Sequence, residues 1–571
     1  MAAQMLAALP AASAVVDEPA HLTAGWLALT QAEPRANREH PPLVKLLAAL
    51  PLLGLGVTTP ARSSVKTPVT SEDFEFDYSR LFLYISNDAD RLLWWARLPV
   101  IFLTLCGAVA LCAWARSLIG DWGAVAALAL YCFEPNLLAH GRLVTTDMAA
   151  AVFTLASFAA LERAAGRTGS WLSRAVLPGL CLGAALSSRY SCLLAVPLLG
   201  LSLWLDRRPA THARGGLAVA TLLIALCVVN LFYGFGGTPI PLGADPVGGP
   251  LKSWPLASME AHPILKWTPL PLPRLYLEGL DLARYKNTHV EGPSYLNGVI
   301  SRSGFWSYFV QALSMKTPLA LLLLACVGCL LVLLRRPLRA EAIWVLLPAA
   351  GLLGMTTVLT TAQIGLRYVL PVIPLLCILG GAAAGRAGVI MRPARWVAIP
   401  LVAALLAWQA ASVLRVHPYH LAYFNEAAGG PQNGYRHLVD SNLDWGQDLG
   451  GLARWMRVQQ SAPVHLYYFG TADPEYYGLA RRSPPEPGWY AVSATHLMGV
   501  YLPDPDYLAP FRTMAPAARI GHSIFVYRLE NVPPFLRVPI GRSASRNSRR
   551  HLPAATPDTR FASHVQAAAG R

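Results

Sequence analysis

The sequence is poor in charged residues. Asp, Glu, Lys and Arg make up 14% of its 571 residues, whereas they make up about a quarter of an ordinary soluble protein. Hydrophobic residues make up 54%, and apolar runs of near 20 residues recur along the chain. This composition excludes an ordinary soluble protein and predicts an α-helical polytopic membrane protein.

Cysteine is absent from the long polar loops. All nine cysteines lie in apolar runs, so neither a disulfide framework nor an external metal cluster is predicted. Cys326 and Cys329 have the CxxC spacing, but inside an apolar run they are expected to pack as small hydrophobic side chains. The first apolar run, 1–16, lacks the basic start of a cleaved signal peptide and is short for a membrane span, which leaves a start further upstream open.

The arginines are unevenly distributed, and this predicts the topology. About eleven spans are expected, at roughly 1–16, 98–115, 122–138, 148–161, 175–187, 190–205, 215–235, 308–334, 342–360, 368–385 and 395–414. One set of loops is rich in arginine: Arg116; Arg163, Arg167 and Arg174; Arg207, Arg208 and Arg214; Arg335, Arg336 and Arg339; Arg386, Arg392 and Arg395. Because positive charge gathers in cytoplasmic loops, this set is predicted to be cytoplasmic, and the net charge of +15 does not indicate nucleic-acid binding.

The alternate loops are therefore predicted to lie outside. The apolar run 43–57 could change this assignment, because a further span would invert every later loop. It is about 15 residues long and contains Lys45 and Pro51, so an interfacial or re-entrant helix is predicted instead.

The composition changes after Leu414. The segments HLYYFG (465–470), WYAVSA (489–494) and SIFVYRL (523–529) predict strands, and 449–458 predicts a helix. We therefore predict a transmembrane domain over 1–415 with outer loops 17–97 and 236–307. A small extracytoplasmic α/β domain is predicted over 416–540, followed by a disordered basic tail over 541–571.

Polar residues cluster at the outer ends of the predicted spans. Asp17 and Glu18 end the first apolar run and are the candidate catalytic residues. Candidate substrate-binding residues are His21, His40, Arg142, Asp147, Arg189 and Arg367. A carboxylate can act as general base on an acceptor hydroxyl, and arginines can stabilise a leaving lipid phosphate, so transfer from a lipid-linked phosphate is predicted. Snorkelling to outer headgroups is the alternative for each arginine.

The segment DSNLDWGQD (440–448) was compared with a calcium-binding loop. Asp440, Asn442 and Asp444 match the first three ligand positions of an EF-hand, but Trp445 and Gly451 replace its required Gly and Glu. The segment is therefore predicted to be an Asx-rich turn that caps the following helix.

Several of these motifs together resemble a known family. They are DEPAH (17–21), HPPLVKLLAALP (40–51), EPNLLAHGRLVTTD (134–147), YFVQALSMKTPLALLLL (308–324), IGLRYVLPVIPLL (364–376) and LAYFNEAAGGPQNGYRHLVDSNLDWGQDL (421–449). The chain is similar to the bacterial family 39 glycosyltransferases, membrane enzymes of the GT-C class related to protein O-mannosyltransferases and to the aminoarabinose transferase of lipid A.

The resemblance implies transfer of a sugar from a polyprenyl-phosphate-linked donor to an acceptor hydroxyl on a protein, lipid or glycan. It places the enzyme in the cell (inner) membrane, with its active site and C-terminal domain extracytoplasmic and membrane lipid around it. It maps the catalytic base to Asp17, with Glu18 beside it, and the second-loop acidic residue to Asp147. Arg189 stands where relatives often carry Lys. No cofactor, metal ligand or nucleic-acid partner is assigned, and a divalent cation stays open.

Two other functional classes of membrane protein remain as alternatives. A transporter or lipid flippase would be expected to show ionisable groups near the midplane of its spans, broken helices and repeated halves. In this sequence the charges lie at helix ends on one face, and no repeat is visible. A structural membrane protein with a partner-binding outer domain would leave the loop carboxylates and arginines unexplained.

Overall fold

The computed structural model describes residues 1–208, 211–236, 238–243, 251–289, 292–334, 340–390, 395–460, 463–479 and 485–537. The predicted tail 541–571 and Arg335, Arg336, Arg339 and Arg392 lie outside these ranges. The described chain is mostly helical, as predicted. Its α-helices are Ala2–Ala8, Glu18–Gln31, Leu43–Ala49, Glu72–Arg80, Ala89–Cys132, Pro135–His140, Thr146–Gly166, Trp171–Leu186, Ala195–Leu205, Thr211–Phe232, Leu256–Ala261, Arg274–Thr288, Tyr308–Lys316, Leu319–Leu333, Leu347–Leu359, Val372–Ile390, Arg395–Leu414, Leu449–Val458 and Ala494–Leu497.

Several of these helices are apolar enough to cross a membrane. In the described ranges five pass by length and composition: Ala89–Cys132, Thr146–Gly166, Ala213–Phe232, Ala342–Leu359 and Trp396–Leu414. The pair Tyr308–Lys316 and Leu319–Leu333, bent by 117° around Thr317 and Pro318, would be a sixth. Shorter apolar helices are Ala2–Ala11, Leu43–Gly54, Trp171–Leu186, Tyr190–Leu205 and Val372–Gly385. The chain is thus an integral membrane protein, and the number of about eleven spans stays a prediction.

Three predicted spans differ in detail from the structure. Span 98–115 and most of span 122–138 lie in the helix Ala89–Cys132, whose backbone is non-helical at Gly120, and the rest of span 122–138 lies in and just before Pro135–His140. Gly120 has φ 77°, a conformation that glycine adopts without a steric penalty. The run 1–16 forms the helix Ala2–Ala8 and a 3-10 turn, Leu9–Ala11, rather than one long helix.

Small residues bring two long helices together. A methyl group added at Gly381 would lie 2.4 Å from the carbonyl oxygen of Gly123, so only glycine permits this approach. The contact joins Ala89–Cys132 to Val372–Ile390. It thereby fixes the relative position of the helix that carries Arg97 and the helix that follows Arg367.

The C-terminal region forms a four-stranded sheet. Its strands, in spatial order, are Val464–Tyr467, Gly488–Ser493, Ile524–Leu529 and Ala518–Ile520. The first two strands are parallel and the other neighbours are antiparallel. Leu449, Ile524 and Val526 share a hydrophobic cluster with Leu22 and Leu27 from the N-terminal region. The predicted strands and helix are therefore present, and their hydrophobic core includes residues of the segment 17–97.

Candidate functional site

Four of the predicted site residues form a continuous chain of opposite charges. Asp17, just before the helix Glu18–Gln31, accepts a hydrogen bond from Arg367 Nη1 at 2.5 Å. The same Nη1 lies 4.0 Å from Asp147 Oδ2. Asp147 in turn forms an ion pair with Arg189. The structure thus brings together residues from four separate segments of the sequence.

Each member of this chain of charges is held at the end of a helical element. Asp147 lies in the first turn of Thr146–Gly166, where the helix dipole favours a carboxylate. Arg189 follows Trp171–Leu186, and Arg367 lies in the 3-10 turn Leu366–Val369. Asp147, Arg189 and Arg367 are buried, whereas the side chain of Asp17 is 20% exposed. Asp17 is therefore the member that a molecule arriving from the aqueous side can reach most easily.

Aromatic rings lie against both guanidinium groups. Arg189 lies 4.8 Å from the ring centroid of Tyr368, and Arg367 lies 4.4 Å from that of Trp445. Such cation–π contacts orient a planar guanidinium without using its N–H groups. The arginines thus keep hydrogen-bonding capacity while they are held in place.

The predicted histidines adjoin Asp17. The rings of His21 and His40 are 4.8 Å apart in an edge-to-face arrangement, and His21 Nδ1 is bonded to the carbonyl oxygen of Val144 at 2.9 Å. Asp17, His21 and His40 offer ligand atoms within 4.8 Å of one another and could hold a metal ion. Burial lowers the pKa of both histidines, and nearby cations, including Arg189 and Arg367, lower that of His40 further. Both rings are therefore neutral near pH 7.

Glu18 has a different environment from its neighbour Asp17. Its carboxylate is fully buried and accepts from Arg97 Nη2 at 2.6 Å and Nε at 2.8 Å. It also accepts from the backbone N–H groups of Val15 and Val144, at 3.0 and 2.9 Å. The two adjacent carboxylates are thus not a functional pair in space, because Glu18 is enclosed by protein groups.

Arg142 is a predicted site residue that forms no hydrogen bond with the Asp17–Arg367–Asp147–Arg189 chain among the described residues. It donates to the carbonyl oxygens of Ala8 at 2.8 Å and Pro418 at 3.2 Å. These contacts tie the N-terminal helix to the segment after Arg395–Leu414. In the described chain Arg142 therefore joins two segments, and the structure does not bring it to Asp17.

Three buried polar atoms beside the charged chain have no hydrogen-bond partner among the described residues. They are Asp147 Oδ2, Arg367 Nε and His140 Nδ1. The ring of His140 lies 5.9 Å from that of Trp445, which places it next to Arg367. An unsatisfied buried polar atom costs about 1–3 kcal/mol, so their concentration at one place indicates a site for a polar ligand.

Some residues of the site were missed in the sequence. Lys45, noted only as an interruption of an apolar run, donates at 2.8 Å to the carbonyl oxygens of Asn37 and His40. Trp445 lies in the segment that was predicted to cap a helix, and that prediction is wrong. The carboxylate of Asp448 accepts from Gln447 and Ser523 and makes no capping bond. The one sequence feature that could have indicated a role for Trp445 in the site was its position as an aromatic residue within an acidic segment.

Comparison with known proteins agrees with the motifs. Residues 35–231 match the family model described as dolichyl-phosphate-mannose-protein mannosyltransferase. No curated protein matches the chain. The match confirms that the chain is a glycosyltransferase. It also agrees with the resemblance to protein O-mannosyltransferases that the motifs indicated.

Solved structures of this class are similar to the chain. ArnT from Cupriavidus metallidurans bound to undecaprenyl phosphate has 15% identity and a TM-score of 0.46, over 94% of this chain and 97% of that one. The Saccharomyces cerevisiae Pmt1-Pmt2 complex bound to the sugar donor has 12% identity and a TM-score of 0.45, over 84% and 95%. The Archaeoglobus fulgidus oligosaccharyltransferase complex with Zn and sulfate has 13% identity and a TM-score of 0.43, over 83% and 54%.

Proposed function

We propose that the chain moves a sugar from a polyprenyl-phosphate-linked donor to an acceptor hydroxyl on the extracytoplasmic face of the cell membrane. The observation that supports this most is the Asp17–Arg367–Asp147–Arg189 chain of charges, with its unpartnered polar atoms. It offers a partly exposed carboxylate beside two buried guanidinium groups. A phosphate and an attacking hydroxyl need those two kinds of group.

In the proposed reaction Asp17 accepts the proton of the acceptor hydroxyl as that oxygen attacks the anomeric carbon. The bond between the anomeric carbon and the phosphate oxygen breaks, and the lipid phosphate leaves with its electron pair. Arg189 and Arg367 stabilise the charge that develops on the phosphate. His21, His40 and Asp147 line the same place and contribute to binding of the sugar or phosphate.

The orientation follows from the positive-inside rule. The loops with Arg163, Arg167 and Arg174, and with Arg207, Arg208 and Arg214, are placed in the cytoplasm. The site residues then face outwards, where the C-terminal sheet also lies. Cysteine labelling at Asp506, a residue of the C-terminal region whose side chain is 84% exposed, tests this orientation in intact membranes, and labelling from the cytoplasmic side alone would contradict it.

The function is tested with purified protein in lipid vesicles that contain a lipid-linked sugar. A transferase releases polyprenyl phosphate and consumes one donor for each sugar transferred. A flippase, the alternative function, moves the intact donor between leaflets without releasing polyprenyl phosphate. The acceptor can be identified by mass spectrometry of glycoproteins and glycolipids with and without the active protein.

Arg367→Ala is expected to weaken binding of undecaprenyl phosphate by about 10- to 150-fold, because charge-assisted hydrogen bonds typically contribute about 1.5–3 kcal/mol. Binding is measured by titration of the purified variant in detergent. Arg528→Ala is the matched control, since this arginine lies on the C-terminal sheet beside Trp489. Unchanged affinity in Arg367→Ala would mean that Arg367 positions Asp17 but does not bind the phosphate.

Chelation with EDTA is expected to change transferase activity by less than about twofold. Asp17, His21 and His40 could hold a divalent cation, but Arg367 already occupies Asp17, and Arg189 and Lys45 add positive charge. Activity is compared before and after chelation and after addition of Zn²⁺ or Mn²⁺. Loss of activity that either ion restores, in the wild type but not in His21→Ala, would make this cluster a metal site.

A further inference from the structure

The segment 440–445 contacts Arg367 and the residue before its ion-pair partner Asp17. This segment, called here the connector, leads from the membrane helices to the C-terminal sheet. All of its residues are buried, with exposed fractions of 6% or less, although four of the six are polar. The proposed mechanism gives none of these side chains a chemical task, so their burial requires another explanation.

On one side the connector holds the turn that carries Arg367. Asn442 Oδ1 accepts from the backbone N–H of Leu366 at 2.9 Å, and Ser441 Oγ donates to the carbonyl oxygen of Ile364 at 2.7 Å. A methyl group at Gly365 would lie 2.1 Å from Ser441 Oγ, so the side chain of Ser441 lies directly against the backbone of Gly365. The three residues before Arg367 are thus fixed by two neighbouring side chains.

Asn442 is itself held from several directions. Its Nδ2 donates to Tyr308 Oη at 3.0 Å and to the carbonyl oxygen of Val439 at 3.2 Å. Its own carbonyl oxygen accepts from Lys316 Nζ at 2.6 Å. The side chain of Asn442 is therefore fixed before it engages Leu366.

On the other side the connector holds the residue before Asp17. The carbonyl oxygen of Trp445 accepts from the N–H of Val16 at 3.0 Å, and the carbonyl oxygen of Val16 accepts from Thr471 Oγ1 at 2.9 Å. The ring of Trp445 also lies 4.4 Å from the guanidinium of Arg367. One short segment therefore contacts both sides of the ion pair.

We propose that Asn442 is a positioning residue for donor binding, which sets the turn before Arg367 so that the guanidinium meets both Asp17 and the donor phosphate. The proposal rests on the proposed function, since it gives Asn442 an effect on the phosphate only through Arg367. It also gives the C-terminal region a part in donor binding, although the connector donates no group to the phosphate.

The test is a double-mutant cycle with undecaprenyl phosphate as the probe. Asn442→Ala is expected to weaken binding by about 5- to 50-fold, because Leu366 loses a buried acceptor. In the Arg367→Ala background the same substitution is expected to have no further effect, since its influence passes through Arg367. Equal losses in both backgrounds would overturn the proposal, because a general loss of structure acts independently of Arg367.

Asn425→Ala is the matched control. This asparagine is also buried, donates to the carbonyl oxygens of Ser314 and Thr317 and accepts from the N–H of Ala428, but has no bond to the turn before Arg367. Its substitution is expected to lower thermal stability and to leave the affinity for undecaprenyl phosphate within about twofold. A loss of affinity equal to that of Asn442→Ala would also contradict the proposal.

Ser441→Ala serves as a milder variant should Asn442→Ala not fold. It removes only the bond to the carbonyl oxygen of Ile364, and is expected to weaken binding by about two- to fivefold, again only when Arg367 is present. If the wild type binds undecaprenyl phosphate but releases none from a lipid-linked sugar, the proposed function fails and the cycle still decides the role of Asn442. If the wild type does not bind the probe at all, both proposals are wrong.

Discussion

Asp17→Asn is expected to lower turnover by at least about 100-fold, since general-base catalysis typically contributes about 10²- to 10⁴-fold. Asparagine has nearly the same shape as aspartate but cannot accept the proton of the acceptor hydroxyl. Because asparagine fills the same space and can still accept a hydrogen bond from Arg367, the fold should be preserved. Turnover is measured as release of polyprenyl phosphate at saturating donor.

The affinity for undecaprenyl phosphate should respond in the opposite direction. Arg367 is bonded to Asp17 at 2.5 Å, and a phosphate must share or take over that guanidinium. Without the negative charge of Asp17 the competition weakens, so the asparagine variant should bind the probe at least as tightly as the wild type. Near-normal turnover in Asp17→Asn, with activity abolished in Asp147→Asn, would show that the base is Asp147.

Glu18→Gln is expected to lower the free energy of unfolding by about 3–5 kcal/mol. The substitution leaves the guanidinium of Arg97, which is 2% exposed, without its negative partner, and breaking a buried pair on one side has a cost of this size. It also weakens two charge-assisted bonds from the backbone N–H groups of Val15 and Val144. Thermal unfolding of the purified variant in detergent measures the effect.

A surface ion pair provides the comparison. Arg116 and Asp121 are each 71% exposed, so Asp121→Asn should change stability by less than about 1 kcal/mol. Glu18→Gln combined with Arg97→Met should recover part of the lost stability, because the unpaired buried charge is removed. A Glu18→Gln variant as stable as the wild type but inactive would restore Glu18 to the catalytic role that the sequence predicted.

The four members of the charged chain could be named from the sequence as candidate site residues because they share one property, whereas their pairing could not be predicted. Asp17, Asp147, Arg189 and Arg367 are polar residues at the outer ends of apolar runs, and the arginine pattern places these ends on one side. Residues at neighbouring helix ends on the same side of a membrane are expected to lie close together. Their family resemblance pointed the same way.

The separate environments of Asp17 and Glu18 could not be predicted. Adjacent residues at the start of a helix are about 100° apart around its axis, so one can face a cavity while the other faces the interior. The partner of Glu18, Arg97, stands at the edge of an apolar run, and nothing in its surroundings indicates a contact 79 positions away. Long-range pairing of this kind has no local signal.

The number of membrane spans is difficult to predict from the sequence for the same reason. The turn that contains Gly120 separates two predicted spans, but the 117° bend at Thr317 and Pro318 lies within an apolar run that was predicted as one span, 308–334. Lys316 donates to the carbonyl oxygens of Leu421 and Asn442, which lie more than 100 positions later. Hydropathy reports the length of an apolar run and not the contacts that shorten or bend it.

The bonds between the two ends of the chain have a consequence for synthesis. Ser13 is bonded to the carbonyl oxygens of Gly446 and Gln447, 433 and 434 positions later, and Val16 is bonded to Trp445. A nascent chain that has already inserted its membrane helices still lacks the partners that fix the residues before Asp17. The surroundings of Asp17 are therefore completed late in synthesis, after residues 445–447 have been made and have bonded to Ser13 and Val16.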